Sequence, residues 1–290
     1  MKKLAYGLIW LSPVIAVLAV FTLYPAYKTV DMSFYTRYNY LRNLVFERGF
    51  ENYRYLVEDR DFWKAMGNTL FYLGWTMPLS MGLGLAGAIA LNGSIRFKRF
   101  FQTVYFLPFV TSTVAVALVW NWIFHSRHGL INAFLASVGM EAIGWLQEPY
   151  WGRIALVIVG VWKSAGYNLL IFLTGLQTID GNFRRAAEAD GAGFWQRTFR
   201  ITVPLLSPSI LFVAVITAIN CFKVFDMSYM LFRNTSGPSQ CGLTLVYYVY
   251  EKFYNQHHYG IASAAVVVLF LIITGFNLIQ FRIGRSKVHY

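Results

Sequence analysis

The sequence predicts an all-α polytopic membrane protein with six transmembrane helices, and three observations predict it. Hydrophobic residues make up 57% of the 290 positions and charged ones only 13%, more apolar surface than a soluble domain of this length needs. The apolar residues gather into six runs of about twenty, the length at which a helix crosses a bilayer. The net positive charge between the runs falls mainly on one side, as cytoplasmic loops require.

The first run, near residues 4–24, follows Met1-Lys2-Lys3 and so begins like a signal peptide. It is too long for one, and Tyr24-Pro25-Ala26-Tyr27 lacks a small-residue cleavage site, so a retained span is expected. Further spans are expected near 68–91, 101–124, 152–176, 205–227 and 259–281, within a single transmembrane domain over 1–290. With the N terminus in the cytoplasm, the inner segments carry twelve Lys and Arg against three acids. The outer segments carry ten against nine. Most of the net charge of +12 is therefore a topology signal rather than a nucleic-acid surface, and both termini are expected inside, Arg282, Arg285 and Lys287 among the inner charges.

Among the outer loops, Asp61-Phe62-Trp63 is expected to begin a short interfacial helix, and Leu245 to Tyr250 a helix lying on the outer surface. Gly129 to Leu135 is too short to span, and Asn234-Thr235-Ser236-Gly237-Pro238 reads as a turn. No 3+3 internal repeat of the secondary-transporter kind is visible.

The inner stretch 177–204 carries the most order. Arg184 to Ala189 is rich in good helix formers. Asp190-Gly191 supplies a stop, because Gly tolerates the left-handed conformation that ends helices. Phe194, Trp195, Thr198 and Phe199 then recur at helical spacing, and Pro204 is expected to open the next helix.

Ala186-Ala187, Asp190-Gly191-Ala192, Ile201 and Pro204 resemble the cytoplasmic signature loop of binding-protein-dependent ABC importer permeases, whose pattern runs Glu-Ala-Ala, Gly, Ile-x-Leu-Pro. The Asp-Gly-Ala form, with Leu205-Leu206 and Pro208, looks most like the maltose-type carbohydrate branch. Arg185 stands where the family's first Glu belongs, so that Glu's role does not carry over. Phe50-Glu51-Asn52-Tyr53, Asn68-Thr69-Leu70, Trp162-Lys163 and Phe225-Asp226 are also similar to the family, extending the resemblance over most of the chain. It implies a type I importer fold, with Arg185, Ala186, Ala187, Asp190, Gly191 and Pro204 in the loop that docks on an ATPase. It implies a second, similar permease subunit as partner, two ATP-binding subunits holding ATP and Mg, an external binding protein, and the cell membrane of a bacterium or archaeon.

Enzyme chemistry has little to be built from. Gly82-Leu83-Gly84-Leu85-Ala86-Gly87 fits a dinucleotide pattern but sits inside a span, where small residues let helices approach. No Walker-type nucleotide motif occurs, so no cofactor is expected on this chain. His125, His128, His257, His258 and His289 lie in loops or at the end without metal-site spacing, and no catalytic set is found. Cys221 and Cys241 receive no role.

Polar residues within spans are costly and face the bundle interior. Lys163 lies eleven residues into the fourth span, near the midplane at 1.5 Å per residue, with Tyr167 one turn away and Ser164 and Asn168 as a neighbouring pair. A pathway or a structural role is open to it. In the fifth span Asn220, Lys223 and Asp226 stand three apart, and snorkelling or a local ion pair competes with a pathway role for the last two. The resemblance implies a sugar site halfway across, between the fourth and fifth spans. Sugars need hydrogen-bonding groups and flat aromatic faces, which Trp162, Tyr167, Asn220 and Phe225 supply. The rival readings are a secondary transporter using Lys163 and Asp226, or an ABC permease for glycerol phosphate or another polyol derivative.

Overall fold

The computed structural model describes residues 2–39, 42, 44–93 and 96–285; Lys287 and His289 lie outside them. Helix runs from Lys2 to Met32 as α1 (Lys2–Leu18), a π turn (Ala19–Leu23) and α2 (Tyr24–Met32), about two turns beyond the expected 4–24. Two strands follow, β1 (Tyr35–Asn39) and β2 (Leu44–Arg48), and correct the all-α expectation. Next come α3 (Glu51–Glu58), α4 (Arg60–Leu91), α5 (Lys98–Val110), α6 (Thr113–Ile123), α7 (Leu130–Ser137) and α8 (Pro149–Thr178). The second half holds α9 (Gly181–Ala189), α10 (Phe194–Arg197), a π turn (Thr198–Thr202), α11 (Val203–Leu205), α12 (Ser207–Phe222) and α13 (Asp226–Leu231). A 3₁₀ turn (Pro238–Gln240), α14 (Leu245–Tyr250), a π turn (Glu251–Asn255) and α15 (Tyr259–Arg285) complete the chain.

Among the described residues, four helical stretches are long and apolar enough to cross a bilayer: Trp10–Met32, Arg60–Leu91, Pro149–Thr178 and Tyr259–Gly284. Two bent pairs raise the number to six if each is one span. The third expected span, 101–124, is such a pair, α5 and α6 meeting at 97°. Pro108 and the polar run Thr111-Ser112-Thr113 account for the break, Thr111 and Ser112 having extended ψ values of 140° and 131°. The fifth, 205–227, is also corrected. Helical residues Phe194–Leu205 meet Ser207–Phe222 at 68°, and α12 stops at Phe222. It is Pro208, not Pro204, that opens α12.

Two π turns share one cause. Proline cannot donate to the carbonyl four residues back and its ring crowds that carbonyl. For Pro25 that residue is Phe21, for Pro204 it is Arg200, and each is the central residue of a π turn. The helix widens there, with Tyr24 bonding to Ala19 and Val203 to Thr198, and continues instead of breaking.

The chain divides into two compact units. The first holds Met1–Trp63 and Tyr248–Leu271. In it β1 and β2 pair antiparallel, Tyr38 opposite Val45 and Asn39 opposite Leu44. Asn52 of α3 binds this hairpin's approach, its amide donating to the Ser33 and Tyr35 carbonyls at 2.9 and 3.0 Å. Asp61-Phe62-Trp63 is the first turn of α4 rather than a separate helix; Asp59 caps it by accepting from the Asp61 N–H at 2.9 Å. Asp59 also accepts from the Tyr248 hydroxyl at 2.7 Å and pairs with Lys252 at 3.0 Å. Lys252 is buried, donates to the Tyr55 hydroxyl at 3.1 Å and lies over the Tyr55 and Tyr248 rings.

The second unit holds Lys64–Tyr247 and Ile272–Tyr290. Its centre is α8, which packs Leu169, Phe172, Leu173 and Leu176 against Ala88 and Leu91 of α4 and Leu206 and Val213 beside and on α12. Lipid offers no hydrophobic drive between helices, so close backbone approach supplies the contact. Gly84 and Gly87 of α4 meet α8: an added Cβ would lie 3.0 Å from the Leu169 nitrogen and 2.6 Å from Leu169 Cδ1. The G-x-G-x-x-G run is thus packing surface at those two positions. A Cβ at Gly166 of α8 would collide with the Tyr105 carbonyl of α5. Asn68 and Thr69 of α4 hold the segment before α14, through the Gln240 and Leu243 carbonyls and the Leu245 N–H. With Leu245, Tyr247 and Tyr248 all buried, α14 is packed inside the protein and not spread on a surface, a further correction.

Candidate coupling loop and intramembrane polar residues

Asp180 starts α9, its carboxylate accepting from the Asn182 N–H at 2.9 Å. Asp190 and Gly191 end it as the local sequence requires. Gly191 has φ +75°, its N–H reaches the Glu188 carbonyl at 3.1 Å, and the Ala192 N–H reaches the Ala187 carbonyl at 2.9 Å. Gln196 accepts from the Gly193 N–H at 3.2 Å, capping α10 from within. Across the turn Arg197 Nη1 pairs with Glu188 Oε1. Trp195 and Phe199 stack at 5.8 Å with both rings exposed, as aromatic side chains do at a membrane interface.

The two loop alanines face different ways. Arg185, Ala186 and Asp190 are exposed, whereas Ala187 is 5% exposed and lines a cavity of about 350 Å³ with Phe183, Phe194, Ile89 and Leu176. Ala187 thus belongs to this chain's own packing, and the outward face of α9 is Arg185-Ala186 with Ala189 and Asp190. Pro204 lies beyond the π turn in the last turn before the 68° bend.

Lys163 bridges the bend between α5 and α6. Its ammonium donates to the Thr111 carbonyl at 3.1 Å and to Thr113 Oγ1 at 3.0 Å. Thr111 is where α5 ends, so its carbonyl lacks a helical partner, and a cation at a helix C terminus is favoured by the dipole. Trp162 is 42% exposed and meets Trp120 edge-on at 5.6 Å; Tyr167 stacks on Phe109 at 4.6 Å; Ser164 is half-buried. Asn168 is 1% exposed, donating to Ser80 Oγ and accepting from Thr217 Oγ1, each at 3.2 Å. It ties α4, α8 and α12 together and does not stand on an open face. Asn220 and Lys223 are exposed at the end of α12. Phe225 lies in the break before α13, packed on Tyr229 and Tyr247. Asp226 opens α13, whereas Lys223 follows α12, and among the described residues no salt bridge joins the two.

Sequence reasoning missed Lys163's partners and the Glu188–Arg197 pair. Three consecutive polar residues inside the third apolar run were the available signal for the first. A nine-residue spacing across a glycine turn offers none for the second.

A helical protein with membrane-length apolar helices, two sharply bent helix pairs and a helical loop between them describes a class, and comparison names it. Residues 79–288 match the family described as "binding-protein-dependent transport system inner membrane component", and the chain belongs to that family. It is a multi-pass membrane transport subunit of the ABC permease kind, which does not favour the secondary-transporter reading. It is 33% identical over 288 residues to the lactose transport system permease protein LacF of Rhizobium radiobacter, covering 97% of this chain and 94% of that one. It is 32% identical to the arabinooligosaccharides transport system permease protein AraP of Bacillus subtilis (98% and 90% covered). A chain from the crystal structure of a bacterial ABC transporter involved in import of the acidic polysaccharide alginate shares the fold, with TM-score 0.84, 24% identity, and 99% and 97% covered.

Proposed function

We propose that this chain is a membrane-spanning subunit of an ATP-driven importer that moves a mono- or oligosaccharide handed over by an external binding protein. The carrying observation is the α9–Gly191–α10 loop, whose outward Arg185-Ala186 face is ordered, exposed and joined through Pro204 to α12. Relatives named for lactose and arabinooligosaccharide transport support the sugar class. In this reading the loop and both termini are cytoplasmic in a bacterial or archaeal inner membrane, a second permease subunit completes a heterodimer, and two partner subunits bind ATP and Mg. Closure of the ATPase pair moves α9, and the spans rock to open the cavity outward. Trp162, Tyr167 and Asn220 offer ring faces and an amide to sugar; no bond is made or broken in this chain.

The test is uptake of labelled lactose, arabino-oligosaccharides and maltose into proteoliposomes holding the full complex. ATP inside and binding protein outside should both be required, and ionophores that collapse ion gradients should have no effect. Uptake driven by an ion gradient without ATP would refute the reading.

A further inference from the structure

The joint between α9 and α10 is Gly191-Ala192-Gly193, which by composition is a soft hinge. A soft hinge there would let α9 move without moving α12. The structure closes it in three ways. The Gly191 and Ala192 N–H groups bond back to Glu188 and Ala187, Gln196 caps Gly193, and the Glu188 carboxylate pairs with the Arg197 guanidinium from one arm to the other. The pair is partly sheltered, its side chains 44% and 26% exposed. Underneath, Phe183, Ala187 and Phe194 face Ile89 and Leu176 across the 350 Å³ cavity, so this part of the loop is not packed flat on the spans. Beyond Arg197 the helix continues through the π turn to Leu205 and bends into α12.

We propose that Glu188 and Arg197 are positioning residues that brace α9 and α10 into one rigid bracket, which passes displacement of α9 to α12 as a single lever. The proposal rests on the coupling role given to the loop above. Glu188 then acts through Arg197 and not through contact with the ATPase.

The test uses Glu188→Arg, Arg197→Glu and the double reversal in the full complex, reading labelled sugar moved per ATP hydrolysed and ATPase co-purification. A partly exposed ion pair shifts an equilibrium by up to about fivefold, so each single reversal should lower sugar per ATP by up to that factor while the ATPase still co-purifies. The double reversal should restore the ratio. If it is as poor as the single changes, or if Glu188→Gln loses the ATPase, the residues act on a partner and the brace is wrong. Hydrogen exchange at residues 190–196 of the purified chain gives a second readout that does not depend on transport. Exchange should quicken in each single reversal and slow again in the double; unchanged exchange overturns the brace. A wild-type complex that moves sugar without ATP would instead overturn the coupling role, with the exchange result still deciding the brace.

Discussion

At the residue scale, burial separates side chains that the sequence treats alike. Ala186 and Ala187 are adjacent and identical, yet one helical step of about 100° turns one outward and the other into the protein. Ala187→Trp should place its ring in the cavity beside Phe183 and Phe194 and so shift the melting temperature of the purified chain alone. Ala186→Trp should leave that melting temperature unchanged and reduce ATPase co-purification. Equal melting of the two variants would place both alanines on one face. Lys163 is the second case. Its place well inside an apolar run is legible in sequence, but its partners are not, because Thr111 and Thr113 lie about fifty residues away. Lys163→Met keeps the stem and removes the donors, leaving the Thr111 carbonyl without its partner. The expected loss is about 1–3 kcal/mol, read as easier denaturation in detergent, with Lys163→Arg milder.

At the element scale, local chemistry was legible and tertiary choice was not. Asp190-Gly191 ends α9 as read, since a left-handed glycine needs no distant partner. The bend between α5 and α6 is not legible in sequence, because the apolar run 101–124 hides the break that Thr111-Ser112-Thr113 makes. The hairpin escaped because two five-residue strands in a mixed-charge loop are too short to give a clear pattern, although Tyr35, Thr36, Tyr38, Val45 and Phe46 are strand formers. The tie between Asp59 and the π turn after α14 joins residues almost two hundred apart, beyond any local signal. It has a pH signature. Burial opposes the Asp59 charge, but the bonds from Tyr248, Lys252 and the Asp61 N–H outweigh it and hold the carboxyl below its ordinary 3.8. Burial likewise opposes the Lys252 charge, and its bonds to Tyr55 and Asp59 raise it above 10.5. A lowered carboxyl stabilises above its unfolded value and fails as pH falls through the folded one; a raised ammonium stabilises below its unfolded value and fails as pH rises through the folded one. Thermal stability should therefore hold between about pH 4 and 10 as far as this pair governs it and decline at both ends. Asp59→Asn should flatten the acid limb, and an acid limb identical to wild type would remove Asp59 from it.

At the scale of the whole molecule, a set of membrane-length apolar helices was readable because a bilayer imposes a length rule on any sequence, but their number was not: among the described residues four are long and apolar enough to cross, and six only if each bent pair is one span. How the spans bend, and which of their polar groups tie helices together, was not, since Asn168 and Tyr167 look equally suited to a sugar until packing buries one of them. In the proposed coupling role the outward face of α9 is the cytoplasmic surface through which an ATPase drives the spans. A single cysteine at Ala186, with Cys221 and Cys241 replaced, tests it directly with a membrane-impermeant maleimide. The claim predicts labelling in inside-out vesicles, none in right-side-out vesicles, and protection when the ATPase subunits are bound. Labelling from the outer side, or labelling indifferent to the bound ATPase, would contradict it.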